Sequence, residues 1–481
     1  MQIGNKSKAA CCILSFAIIV NVFLSLHIYS NFPDIAHSHD DRWVRIAQNL
    51  YNNGVYSDGS TDAKGNLVST LRAPPVYPLI MCGVYYFCGI GETSEIVVRI
   101  LLVLLNIGIV YVVYRIGSLI NYYVGCIASF LTVLDFSAFF WANNLFIPDT
   151  LLGFIMALFT YFLVKFIIHE KSYQNIIYCS IFLGLASLTK SIMYMCWIPI
   201  SIFIFVFLLR TTQSNLKKNV GLVAAFLIIQ LFLIGGYKLN NYITTGYSTF
   251  SSQTGDVMLF WNASYLKAYQ NGTSWYEEKR GLADEYRTDE TNNMHEAERS
   301  LFFKNIAKEI ILSSPLDYAI VVLKRTPKLF LGSPPPDYFL SKESRDSIFR
   351  ELGINGWGSV SSMFHAIKAL WGKGYCAFPL YWLLIKSYTL MLFLIAVLGM
   401  LVCLLRSSQT TSPWLVVGAF IIIAYIVVIV SPSSHARYRA PLLPVLYVFG
   451  GYFIYIMNSY IKKCRERIVM LSSTRKRKTL N

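Results

Sequence analysis

Charge is scarce in this sequence. Only 14% of its 481 residues are Asp, Glu, Lys or Arg, against about 25% in ordinary soluble domains. With 55% hydrophobic and 15% aromatic residues and a mean hydropathy of +0.49, too little charge remains to cover a water-facing surface. A soluble multidomain enzyme and a disordered chain are both excluded. Acid is the scarcer sign, with 26 acidic against 42 basic residues and a net charge of +16. On a soluble chain that excess would point to nucleic acid; on an apolar one it points to membrane orientation instead, and no nucleic-acid partner is expected. Cysteine is nearly missing from the polar segments. Most of the ten lie in apolar runs, where a thiol packs as a small hydrophobe, and only Cys376 falls in the longest polar stretch. A disulfide scaffold is excluded there, and no Cys-x-x-Cys spacing offers a metal site. Internal repeats and low-complexity tracts are absent as well.

Long apolar runs are plentiful. A helix needs about 20 apolar residues to cross a bilayer. Runs of that kind occur near 11–29, 96–116, 122–140, 148–168, 174–190, 192–210, 219–239, 383–405, 412–431 and 440–461. The first follows Lys6 and Lys8 as a signal peptide would, but no small-residue cleavage site follows Tyr29, so it reads as a retained helix. The run 75–90 is short and opens with Pro74, Pro75 and Pro78. The tail from Lys462 to Lys478 holds eight basic residues against Glu466, which makes it cytoplasmic by the positive-inside rule. Other basic connections fall on the same side only if 75–90 lies on the outer face without crossing. The expectation is an all-α polytopic protein with about ten spanning helices, outer-face juxtamembrane helices and both termini inside.

Two polar segments are left outside. Residues 30–95 form the first outer loop of a transmembrane module, 1–241. Residues 242–380 form a second outer segment with fifteen acidic and fifteen basic residues, and so carry none of the net charge. Within it, Glu296 to Leu312 has helical periodicity in Leu301, Phe302, Ile306 and Ile310, predicting a small, mostly helical exoplasmic domain. Residues 381–461 return to the membrane, and 462–481 are the basic tail.

The candidate chemistry gathers at one face. Trp43, Ile46, Ala47, Leu50 and Tyr51 recur at helical spacing before a stop at Gly54. Ahead of them, Asp40 and Asp41 either favour the positive end of that helix, with Ser38 as its cap, or present a general base to a membrane-surface cleft. A divalent-metal reading of His37, His39, Asp40 and Asp41 is open, though these ligands are mixed and too close in sequence to converge easily; no cofactor is expected. Asp149, after Pro148, stands at the outer mouth of an apolar helix. A carboxylate at bilayer depth costs about 2.5–3.5 kcal/mol and is functional by default; the alternative is a cap in the headgroup layer. Lys190 lies between two apolar runs, either snorkelling or holding phosphate as a point charge. His435, Arg437 and Arg439 sit on an outer connection, against the positive-inside bias, where an arginine fork suits phosphate; Arg72 is a further contributor. Carboxylates beside phosphate-binding cations suit attack by an acceptor on a lipid-linked phosphate ester.

These residues also carry a resemblance. Asp40-Asp41-Arg-Trp43 through Asn49-Leu50, then Gly54-Val-Tyr56-Ser57 and Arg72-Ala-Pro74-Pro75-Val-Tyr77-Pro78, resemble the opening motifs of polyprenyl-phosphate-sugar-dependent glycosyltransferases of the GT-C fold, in the dolichyl-phosphate-mannose protein mannosyltransferase-like branch. Pro148-Asp149-Thr150-Leu151 is similar to their second acidic motif, and Gly184-Leu-Ala-Ser-Leu188-Thr-Lys190 to their "GL-x-x-LT-R/K". Asn240-Asn241-Tyr242 to Gly246 resembles the segment after their seventh helix, and His435-Ala-Arg437-Tyr438-Arg439-Ala-Pro441 their closing "RY-x-x-P". Trp43 stands where the family has Tyr, and the acidic pair sits one residue nearer to it, so Asp40 and Asp41 stay interchangeable as the base.

The resemblance implies an inverting transfer of sugar from a polyprenyl-phosphate donor to a lipid, glycan or protein acceptor. Asp40 or Asp41 would be the base and Asp149 would position the acceptor. Lys190, Arg437, Arg439, Arg72 and His435 would hold the donor phosphate. A bacterial cytoplasmic (inner) membrane with the site facing outward is the expected location. The alternatives are a lipid-pyrophosphate-linked oligosaccharide ligase or polymerase, and a transporter, for which inverted repeats and broken helices are not seen. Sequons at Asn262 and Asn271 would matter only in a eukaryotic lumen.

Overall fold

The structure is a computed structural model and describes residues 12–23, 25–26, 41–62, 64–138, 147–169, 171–211, 216–332, 377–406, 413–433 and 435–478. Helices α1 (Cys12–Phe23), α2 (Arg42–Asn53) and α3 (Val76–Cys88) precede the bundle. It is built from α4 (Glu92–Ile120), α5 (Tyr122–Val133), α6 (Asp149–Ile168), α7 (Tyr173–Thr189), α8 (Trp197–Thr211) and α9 (Leu216–Thr245). A polar segment follows with α10 (Gln253–Val257), a π-turn (Met258–Ala263), α11 (Ser264–Asn271), α12 (Trp275–Tyr286), α13 (Asp289–Asn293), α14 (Glu296–Ser313) and α15 (Pro315–Leu331). The chain then returns in α16 (Ala377–Leu405), α17 (Pro413–Val430), a 3-10 turn (Ala436–Leu442) and α18 (Leu443–Lys478). Among the described residues there is no sheet, only an isolated bridge between Thr61 and Leu67.

Seven of these helices are long and apolar enough to cross a membrane, which makes the chain an integral membrane protein. They are α4, α6, α8 with its leading turn, α9, α16, α17 and the 3-10 turn continued into α18. The other three predicted runs appear as α1, α5 (12 residues) and α7 (17 residues). The short run at 75–90 becomes α3, whose 13 residues extend about 20 Å at 1.5 Å per residue, less than the roughly 30 Å hydrocarbon core. α5, at 12 residues, is shorter still, so length alone does not separate the run at 75–90 from a run expected to cross.

α6 and α18 are the most buried of the spanning helices; α6 packs mainly on α4 and α7, and α18 on α5 and α16. Small residues set the closest approaches, as expected where lipid supplies no hydrophobic drive between helices. A Cβ on Gly117 of α4 would stand 2.6 Å from the Gly125 Cα of α5, so the two backbones meet there. α2 is amphipathic as its spacing predicts: Trp43, Ile46 and Ala47 are buried, and Gly54 ends it at φ 66°. Trp43 meets the Tyr77 ring edge-on at 6.1 Å, which lays α2 against α3.

The polar segment has its own core of Leu259, Phe260, Ala263, Leu282, Phe303 and Ala307, so it is helical as expected for the described part, 242–332. Of the four periodic residues of α14, Ile306 and Ile310 pack against this core. Ala297, Ser300, Phe303 and Ala307 are buried, while Leu301 and Phe302 are exposed. Ser300 is buried where α10 comes close. Gly255 rests on the Ser300 backbone, and its N–H donates to Ser300 Oγ at 3.1 Å.

Candidate active site

Asp149 is the first residue of α6 and is fully buried. A carboxylate there gains from the positive helix end, yet burial demands a partner. Lys190 supplies it. As the residue that ends α7 in an extended conformation, Lys190 turns inward, and its Nζ reaches Asp149 Oδ1 at 2.6 Å. The same ammonium lies 4.5 Å from the centroid of the Tyr438 ring, a cation–π contact. The two charges singled out in the sequence are therefore one buried ion pair. Asp149 Oδ2 has no hydrogen-bond partner among the described residues.

The connection after α17 closes over this pair. Arg437 packs its guanidinium 5.3 Å from the Tyr438 ring, and the His435 ring meets Tyr438 edge-on at 6.1 Å and Trp261 at 5.8 Å. His435 is pushed down to about 4, first by desolvation and then by repulsion from Arg437, Lys328, Lys190 and Arg325. It is thus neutral at pH 7 and surrounded by cations, an arrangement suited to an anion. Arg325 and Lys328 come from α15 and were not singled out in the sequence, where they read as ordinary solvated charges. Arg325 donates to the Tyr265 hydroxyl at 2.8 Å and to the Pro432 carbonyl at 3.3 Å, tying α15 to the loop that carries His435.

Arg439 turns the other way. Its Nη1 donates to the carbonyls of Phe330 (3.0 Å) and Gly332 (2.6 Å), while Lys386 of α16 donates to Leu331 at 2.7 Å. Together they cap the carbonyl end of α15, where the helix dipole favours cations. Arg72 donates to Asp58 at 3.1 Å and lies 3.7 Å from Glu296. Burial alone would raise the Asp58 carboxyl, but bonds from Ser60 and the charge of Arg72 outweigh it and hold it below the usual range. This network fastens the first loop to α14. Asp41 precedes α2, more than half exposed, and pairs with Arg45 at 3.3 Å; its side chain makes no capping bond. Asp40 lies outside the described residues, as do His37 and His39 of the metal reading.

A further buried carboxylate went unread. Asp135 accepts from the Tyr447 hydroxyl at 2.7 Å and from the backbone N–H groups of Ser137 and Ala138 at 2.9 and 3.0 Å. The rule that marked Asp149, an acid in an apolar run, would have marked it too. Its oxygens are engaged in joining the end of α5 to α18, which suits a positioning role.

Residues 72–234 match the family model for dolichyl-phosphate-mannose-protein mannosyltransferase, a stretch that contains Arg72, Asp149 and Lys190. No curated protein matches the chain. Among solved structures, the oligosaccharyltransferase of Archaeoglobus fulgidus in the apo form aligns at TM-score 0.53 and 13% identity, over 96% of this chain and 52% of that one. The chain has the GT-C fold. The same archaeal enzyme, AglB, in complex with an inhibitory peptide and a dolichol-phosphate also aligns at 0.53, over 95% and 51%. ArnT from Cupriavidus metallidurans bound to undecaprenyl phosphate aligns at 0.37 and 14% identity, over 91% and 77%. The chain thus spans about half the length of the archaeal oligosaccharyltransferase. The GT-C resemblance read from the motifs is borne out, in the fold across most of the chain and in the family model over 72–234.

Proposed function

We propose that this protein is a membrane glycosyltransferase that moves a sugar from a polyprenyl-phosphate donor to an acceptor hydroxyl or amine at the outer membrane face. The observation that carries the reading is the buried Asp149–Lys190 pair under a loop and helix bearing Arg437, Arg325, Lys328 and a neutral His435. A cluster of cations beside a membrane-buried carboxylate suits a lipid-phosphate leaving group. The acceptor nucleophile attacks the anomeric carbon as the bond from that carbon to the phosphate oxygen breaks. The bonding pair leaves with the phosphate, and the acceptor's proton passes to a carboxylate, Asp40 or Asp41. One displacement inverts the anomeric configuration. Lys190, Arg437 and His435 take the phosphate, with His435 taking up a proton from solvent as negative charge arrives. Asp149 orients the acceptor. Arg439 and Arg72 act at one remove, by holding α15 and the first loop in place.

Incubation of membranes with labelled polyprenyl-phosphate sugars tests the reading. Wild type transfers one sugar per event and releases polyprenyl phosphate. Asp40→Asn together with Asp41→Asn lowers turnover by about 100-fold or more, the range of general acid–base contributions, and Asp149→Asn lowers it by misplacing the acceptor. Full transfer by all of these variants, or transfer of an oligosaccharide in one step, would sink the proposal.

A further inference from the structure

Glu296 opens α14, where an acid ordinarily serves the positive end of its own helix. Here the cap is already supplied by His295, whose ring nitrogen accepts from the Ala297 N–H at 3.2 Å. The Glu296 carboxylate leaves the helix instead and reaches a segment 225 residues away in the chain. One oxygen accepts from the Leu71 backbone N–H, and the other from the Thr70 hydroxyl at 3.2 Å. Arg72 Nε stands 3.7 Å from that second oxygen, while its Nη1 holds Asp58. Bonds to an ionised acceptor are the stronger kind, so the grip on 70–72 is firm.

The gripped segment is the layer between α14 and α2. The Ser252 N–H donates to the Leu71 carbonyl at 3.0 Å, and the hydroxyls of Tyr56 and Tyr237 donate to the Ala73 carbonyl at 2.9 and 3.2 Å. Ala73 is buried in one core with Trp43, Ile46 and Ala47 of α2 and Tyr77 of α3. The Thr70 N–H donates to the Tyr56 carbonyl at 2.8 Å, and Asn49 of α2 donates to the Ser57 carbonyl at 2.9 Å. α2 starts directly after Asp41. A displacement of 70–74 is therefore passed to α2 and to the two carboxylates that precede it.

We infer that Glu296 is a positioning residue for the general base: from the outer segment it fixes the first loop, and through it the place of Asp40 or Asp41 against the acceptor. The inference rests on the reading of these carboxylates as the base, and it adds a residue that neither the loop motifs nor the periodicity of α14 marks.

The test gives washed membranes, carrying each full-length variant at matched expression, a saturating labelled polyprenyl-phosphate sugar and follows transfer. Binding of sugar-free polyprenyl phosphate reports folding and the cation cluster. Glu296→Ala should slow transfer by about tenfold or more, because a small misplacement of a reacting group is costly, with the affinity for polyprenyl phosphate unchanged. Glu296→Gln, which keeps an oxygen for the Leu71 N–H, should recover much of that loss. In the Asp40→Asn, Asp41→Asn background, Glu296→Ala should cost nothing further, since a residue that acts through the base has nothing left to position. If Glu296→Ala does not bind polyprenyl phosphate, Asn49→Ala runs the same cycle, because it severs α2 from the loop with Glu296 intact. Wild-type transfer in the single variant, or an equal further loss in the background without the base, overturns the inference. Failure of the base reading looks different: the Asp40→Asn, Asp41→Asn protein then transfers sugar at the wild-type rate.

Discussion

The Asp149–Lys190 pair shows what burial does to two residues that look independent in the sequence. Removing either partner leaves an isolated charge among helices, which costs about 3–5 kcal/mol. Asp149→Asn and Lys190→Met should therefore each lower thermal stability in detergent. The double substitution should recover much of that loss while transfer stays absent. A double variant no more stable than the singles would mean that the pair is not coupled in solution. His435 offers a second measurement at this scale. Its folded-state value of about 4 lies below the ordinary value of about 6.5. Between these the unfolded chain binds more protons, so stability rises with pH across the window and is lost as pH falls from 6.5 towards 4. His435→Gln should flatten the melting temperature over that window. Polyprenyl phosphate should raise the His435 titration midpoint, as followed by NMR of labelled histidine.

Helix ends and crossings decide how the polar segment is held. α15 ends on three carbonyls taken by Arg439 and Lys386, and its middle is tied to the loop by Arg325 and by a Thr326–Ser431 hydroxyl contact of 3.1 Å. Arg439→Ala, or Lys386→Met, should release this end, seen as faster hydrogen exchange at 315–332 with little change in α14. Protection that persists in both variants would show that the apolar contacts of Leu329 and Phe330, both buried, suffice. The face of α14 carries a related lesson. Of its periodic residues, Ile306 and Ile310 pack on the segment's core while Leu301 and Phe302 stay exposed, and Ser300 is buried where the α10 backbone comes close.

Across the whole molecule, charge asymmetry is the quantity to test. The tail is strongly basic, whereas the segment from 242 to 380 is neutral, so the two should lie on opposite sides of the membrane. In a background lacking the other cysteines, Cys464 should react with an impermeant maleimide only after permeabilisation. A cysteine placed at the exposed Thr273 should react without it. The reverse pattern would invert the topology and remove the outward-facing site. Asn262 is 7% exposed, so only Asn271 of the two sequons is open to modification in the folded protein.

Composition and run length by themselves determined that the chain is an all-α membrane protein, because a residue needs no partner to be too apolar for water. They also marked Asp149 and Lys190, since an ionised group in an apolar run is expensive wherever it ends up. The order of short motifs added the GT-C resemblance. What only the tertiary structure decided is pairing. Asp149 and Lys190 are 41 positions apart and meet through the turn of two helices. Arg439, read as a phosphate ligand, spends its Nη1 on the end of α15. Arg325 and Lys328 sit in ordinary sequence surroundings and gain a role only from what folds against them. Hydrophobicity acts residue by residue and is legible in one dimension, whereas hydrogen bonds and ion pairs act over about 3 Å between segments whose separation in the chain carries no information about their meeting.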